Sequence, residues 1–253
     1  ICGVKRTLLL TFKSSFGFGN MGLVFANQGR ESSSWKNIQF GIGLNKIADY
    51  NQRSYIKGEN IDNSMISEFQ FHANGVHPDN LDKFDTYLAY WTYLLDEYDD
   101  NTGEYTSIIP NGGVQQSKST NSNGYKNEMV FSFGGNFDDK IYLGATLGVP
   151  FLSYNENSTY REFDIADTIF DFKEFQVHDE FRTSGTGINL KLGLIYRITD
   201  WVRFGLAYHT PTYYSLNDRY ERSISSWFDN GDQYTEESPN GSFNYKMETP
   251  MKA

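Results

Sequence analysis

Residues 140–154 read KIYLGATLGVPFLSY. Every second residue is apolar: Ile141, Leu143, Ala145, Leu147, Val149 and Phe151. The residues between them, Tyr142, Gly144, Thr146 and Gly148, are mostly small or polar. A period of two marks a strand whose two faces meet different surroundings. The apolar face either packs on a protein core or meets lipid.

The same pattern recurs along the chain. GYKNEMVFSFGGNF sets Tyr125, Asn127, Met129, Phe131, Phe133 and Phe137 against Lys126, Glu128, Ser132, Gly134 and Asn136. GINLKLGLIYRI sets Ile188, Leu190, Leu192, Leu194, Tyr196 and Ile198 against Asn189, Lys191, Gly193 and Arg197. WVRFGLAYHT, NIQFGIGLN and GSFNYKMETPM alternate likewise. In the last of these Phe243, Tyr245, Met247 and Met251 share the apolar phase. FGFGNMGLVFAN alternates with a slip near Asn20, as a bulge would produce. Seven strands follow from these segments.

Composition narrows the choice of solvent. The 253 residues are 38% hydrophobic with mean hydropathy −0.57, too polar for a helical membrane protein. No run reaches the roughly 18 apolar residues of a transmembrane helix, a test that a β-barrel escapes because only alternate residues face lipid. Aromatic residues make up 17%, including 18 Tyr and 20 Phe, and there are 23 Gly. Rings at the lipid boundaries and glycines inside are what a transmembrane barrel uses. Trp35, Tyr125, Tyr154, Trp201, Tyr208, Tyr213 and Tyr214 fall near strand ends, where an aromatic girdle belongs. The net charge of −10 argues against a nucleic-acid partner. The single cysteine, Cys2, excludes an internal disulfide and a cysteine-based zinc site. The apolar run in ICGVKRTLLLTF is too short for the core of a signal peptide.

The connections are of two kinds. NFDDKIY and RITDWVRF read as tight hairpin turns, whereas residues 49–123, 155–184 and 215–242 read as long loops. Alternating short and long connections suit an antiparallel barrel with short inner turns and long external loops. Loop 49–123 holds 12 acids and 4 bases. Within it Leu81, Phe84, Leu88, Trp91 and Leu95 recur at helical spacing, with Asp79 or Asn80 as the cap, and NSMISEFQFHA reads as a second, shorter helix. The stripe is either a packing surface on the barrel rim or a landing groove for a greasy ligand.

Two segments carry a resemblance. FSFGGNFDDKIYLGATLGVPFLSYNENSTYREFD and TSGTGINLKLGLIYRITDWVRFGLAYHTPTYYSLND, with the Thr-Asp-Trp turn and HTPT at 209–212, resemble the FadL/TodX family of outer-membrane transport proteins in its Bacteroidetes-type form. The resemblance covers most of the chain. It implies a 14-stranded barrel with a small N-terminal plug, in the bacterial cell outer membrane. Such a barrel takes up long-chain fatty acids or other hydrophobic molecules by passive diffusion. The ligand lands between external loops and leaves sideways where one strand is kinked. The seven strands are half the implied number, the Asn-Pro-Ala plug motif is absent, and the chain stops at ETPMKA. These departures are read as one β-barrel domain, residues 1–253, incomplete at both ends or completed by another chain.

No family site residue transfers by motif. The candidate ligand-binding residues are therefore Phe84, Leu88, Trp91 and Leu95 of the loop stripe, with the inward-facing cations Lys191 and Arg203 for a carboxylate head group. Inward acids such as Glu128 are the alternative partners of those cations. His72, His77, His178 and His209 lack metal-type spacing, and DEYDDNTGEY does not fit a calcium loop. No catalytic set, metal or cofactor is expected. The expected partners are a hydrophobic small molecule, membrane lipid and lipopolysaccharide, and other outer-membrane proteins. A structural or adhesive barrel subunit, whose acidic loops bind a partner protein or glycan, is the alternative. A soluble β-sandwich binding module is the third reading.

Overall fold

The computed structural model describes residues 7–10, 18–30, 32–60, 62–99, 103–109 and 113–252. Cys2 and most of the 1–12 segment lie outside them. The alternating segments are strands, all paired antiparallel in one 11-stranded sheet. They are β1 (Thr7–Leu10), β2 (Asn20–Gln28), β3 (Trp35–Asp49), β4 (Gln52–Asn60), β7 (Val114–Phe137), β8 (Ile141–Phe163), β9 (Glu174–Arg197), β10 (Arg203–His209), β11 (Tyr213–Trp227), β12 (Gln233–Glu237) and β13 (Gly241–Glu248). A separate hairpin joins β5 (Leu95–Asp99) to β6 (Glu104–Ser107). The helices are α1 (Met65–Ala73) and α2 (Thr86–Trp91). None of the described helices is long and apolar enough to cross a membrane. The protein is all-β and antiparallel, and no described strand joins the two edges of the sheet.

The three central strands carry the architecture. β7 and β9 have 24 residues each and β8 has 23. At about 3.3 Å per residue each runs nearly 80 Å, more than twice the 9–11 residues of one membrane crossing. Shorter strands pair with them in two tiers. β3 follows the second half of β7 and β4 the first half. β10 follows the end of β9, and β11 its beginning. The breaks fall at Tyr50 and Asn51 and at residues 210–212, where Pro211 lacks the N–H that a ladder needs.

The polar tier corrects the expected loops. Much of 49–123, and most of 155–184 and 215–242, is strand, and the connections at that end shrink to 61–113, 164–173 and 228–232. The stretch QQSKSTNSN in β7 carries no hydrophobic period because few of its residues face an apolar layer. Its pairing with β4 and β8 keeps it in the sheet. At the other end the turns stay short. Asp138 and Asp139 both adopt left-handed backbone, which Asp tolerates better than most residues, and Asn136 Nδ2 donates to Asp139 Oδ1 at 2.7 Å.

The expected helix over 81–95 is mostly absent. A 3₁₀ turn covers Pro78–Asn80, α2 spans six residues, and Leu95 opens β5. Thr92 Oγ1 bonds back to Leu88 O at 2.7 Å, and Tyr93 turns left-handed at φ 59°. Together they end the helix. Asp85, not Asp79 or Asn80, stands at the N-cap, without a side-chain capping bond. The second helix is the longer one, with Ser64 capping Ile66 N. The slip expected near Asn20 is not seen. β2 pairs with β3 in unbroken register from Asn20 to Gln28, and the register shifts lie between Trp35 and Asn37 and between Lys46 and Ala48 on the β7 side of β3.

Candidate functional site

In the tier away from the helices, cross-strand pairs line up into apolar rows. One row runs Leu23, Ile42, Phe131, Leu147 and Leu190. The next runs Phe25, Phe40, Phe133, Ala145, Leu192 and Tyr208. These side chains are uncovered: Phe25 is 63% exposed, Phe133 44% and Leu23 65%. Water rarely meets so continuous an apolar face. Trp35, Tyr125, Trp201 and Tyr213 are exposed near its margins, as a girdle requires, whereas Tyr208 lies opposite Leu192 in the middle of the face. Tyr154 and Tyr214 belong to the opposite face. Met247 pairs with Tyr214, which places it on that face too, contrary to the simple alternation with Met251.

The opposite face of the same tier is polar and close-packed. The row next to Leu190 places Ser132, Thr146, Lys191 and His209 side by side. Lys191 Nζ donates to Glu128 Oε2 at 2.8 Å, and Asn189 Nδ2 donates to Glu128 Oε1 at 2.9 Å. Glu128 is only 6% exposed. Gly148, between these strands, makes the approach possible, because a β-carbon there would stand 2.5 Å from Glu128 Oε1 and 2.6 Å from Asn189 Oδ1. Lys126 Nζ lies 4.8 Å from the Tyr214 ring centre. Lys191 thus has the acid partner that the sequence offered as its alternative. Arg203 sits opposite Arg197, six residues along β10 from the His209 that faces Lys191. That is roughly 20 Å away, so the two proposed cations do not converge.

The helical insertion caps the far end of this polar face. The register between β7 and β8 is unbroken, so Gly148, Tyr160 and Glu162 share one face. There Ile66, Leu88, Leu94, Leu95 and Ile109 of the cap pack with Phe172, Phe175, Val177 and Ile224, each no more than 1% exposed. Polar anchors fix it. Glu162, fully buried at the start of α1, accepts from Ser64 Oγ at 2.5 Å, Met65 N at 2.8 Å and Gln116 Nε2 at 3.0 Å. A carboxylate there also meets the positive end of the helix. Arg222 donates to Asp179 at 2.6 Å and to Asp85 of the cap. Burial pulls its guanidinium down, but Asp179 and Asp85 outweigh burial and hold it above its ordinary value. Ser226 Oγ donates to Thr92 O at 2.6 Å.

This geometry divides the predicted stripe. Leu88 and Leu95 are core residues between cap and sheet. Phe84 is half-buried with its ring 5.7 Å from Tyr220, and Trp91, 46% exposed, rests against Tyr87 and Tyr90. Among the described residues no three metal-ligating side chains gather. Sequence reading missed Glu162, Arg222 and Asp179. The alternation of Phe175 and Val177 was the available signal for a buried strand there.

A cavity of about 580 Å³ opens where β3 gives way to β4. Phe18, Met21, Leu44 and Tyr125 form its apolar side, and Lys46, Asp49 and Asn123 its polar side. Lys46 is ion-paired with Asp49, which holds the carboxyl below its ordinary value. Gly124 has φ 155°, and a β-carbon there would stand 2.3 Å from Ser153 O. Gly124→Ala is expected to cost about 1–3 kcal/mol, because backbone rather than side chain must yield. Denaturant unfolding of the two proteins side by side measures it.

Tyr105 belongs to the cap, 2% exposed, and donates to Val76 O at 2.8 Å. Burial, helped by Glu97 and Tyr90, pushes its phenol up to about 12. The neutral form is the one the fold favours, so its stabilisation is complete below pH 10 and fades as pH rises toward 12. Proteolysis within the cap should therefore accelerate across that window, and Tyr105→Phe should flatten the dependence. An unchanged profile in the variant would remove Tyr105 as the cause.

No protein-family model, curated protein or solved structure matches the chain. What defines it is an antiparallel sheet with one bare apolar face and one capped polar face.

Proposed function

We propose that the sheet is wall of a β-barrel in the bacterial outer membrane that admits long-chain fatty acids or other hydrophobic molecules by passive diffusion. The observation that carries this reading is the height of the apolar face. On β9 it runs from Ile188 to Tyr196, about 26 Å along the strand and about 20 Å when tilted by 40°, near the 25 Å apolar band of such barrels. The glycines, hydroxyls and charges of the same rows then line the interior. The cavity at the β3–β4 break, at the upper margin of the band, is the candidate side opening, and the break is the kink that the family resemblance implies.

Uptake of a fluorescent long-chain fatty acid into proteoliposomes tests the reading. Facilitated, non-saturably driven entry that follows the gradient is expected, with slower entry when Leu44→Arg charges the cavity. Entry no faster than in protein-free vesicles would contradict it. The exposed rings Phe71, Tyr98 and Phe170 at the capped end favour a second reading, in which the cap binds a partner protein or glycan. An impermeable barrel that retains such a partner would support it.

A further inference from the structure

Above the apolar rows, β9 and β11 set Arg182 directly opposite Arg219 on the same outer face. Like charges placed opposite each other on a sheet repel. Both residues are exposed. Arg182 is ion-paired with Glu180 one row higher, where Glu180 itself stands opposite Glu221. Arg219 has no ion-pair partner among the described residues. Below the arginines come Ser184 opposite Asn217 and then Thr186 opposite Ser215, all short, with Phe151 of β8 on the other side of Thr186. Lys246 of β13 stands opposite Ser215 in the row of Thr186. The result is a trough of hydroxyls and amides bounded by two guanidiniums above and an ammonium at its side.

Its height is what identifies the occupant. Arg182 lies four residues beyond Thr186, whose row holds Phe151, the upper end of the apolar run on the outer face of β8, so it stands about 13 Å along the strand and about 10 Å of height above that edge at a 40° tilt. The headgroup layer occupies roughly 5–8 Å beyond the hydrocarbon, and long cationic side chains bend toward it. Guanidinium pairs suit phosphate oxygens, to which each can donate two hydrogen bonds. We infer that Arg182 and Arg219, with Lys246 below, bind the phosphate of a membrane-lipid headgroup. This rests on the reading that the apolar face meets lipid.

Native mass spectrometry of detergent-purified protein, with phosphatidylglycerol or a phosphate-free glycolipid of the same acyl chains added, tests it. Preferential retention of phosphatidylglycerol is expected, reduced about 10- to 30-fold in R182Q/R219Q. Arg53→Gln, an outer-face change next to Asn121, should leave it intact. Equal retention by wild type and double variant, or no preference over the glycolipid, would overturn the site. So would inorganic phosphate binding as tightly as the lipid. Flotation with liposomes reports insertion separately: a protein that floats but shows no preference sinks only the site, whereas one that never floats sinks the membrane reading with it.

Discussion

Phe175→Ala is expected to lower stability by about 3–5 kcal/mol, the cost of emptying a large aromatic site in a closed core. Phe175 is fully buried, with Phe172 and Tyr160 ring centres 6.4 and 6.3 Å away. It stands on β9, but its neighbours include the underside of the cap. The loss should therefore appear first as cap release. Hydrogen exchange would show α1 and α2 losing protection while amides of the apolar tier stay slow. Uniform loss across both tiers would mean that cap and sheet unfold as one unit, contrary to the two-tier architecture.

Arg222→Met carries the second large effect, on the order of 3–5 kcal/mol, from removing the cation that bridges two partly buried carboxylates. Asp179 would keep only the Tyr220 hydroxyl at 2.8 Å as a strong donor, with the Ser158 hydroxyl at 3.5 Å, and Asp85 would lose its tie to the sheet. The triple change Arg222→Met, Asp179→Asn, Asp85→Asn should recover most of the loss. A triple variant as unstable as the single one would show that packing of the arginine stem, rather than charge, was decisive.

The legible part of this protein was the part whose two faces differ in polarity. Residues 140–154 alternate because Leu143 and Leu147 stand on the bare apolar face while Gly144 and Gly148 stand on the polar one, and the same difference made β9 and β10 readable. Where few residues of a strand meet an apolar layer, as along 116–123 of β7, pairing rather than hydropathy makes the strand, and the sequence reads as loop. The cap was visible as apolar content, but its helix was overdrawn. The series from Leu81 to Leu95, spaced three and four apart, arises from the residue after a 3₁₀ turn, six helical residues and a strand, whose Leu81, Leu88 and Leu95 all enter one core. Lys191 and Glu128 could be placed on one face from parity alone. Glu162 and Arg222 could not, because their partners Ser64 and Asp85 lie 98 and 137 residues away.

The most direct test of the apolar face is nitroxide scanning along 186–197 of β9 in liposomes, comparing accessibility to oxygen with accessibility to a water-soluble nickel chelate. The account predicts strict alternation. Labels at Ile188, Leu190, Leu192, Leu194 and Tyr196 should meet oxygen, which concentrates in lipid, and labels at Asn189, Lys191 and Gly193 should meet the chelate. If the even positions are inaccessible to both, the apolar face is packed against protein rather than lipid, and the membrane reading fails.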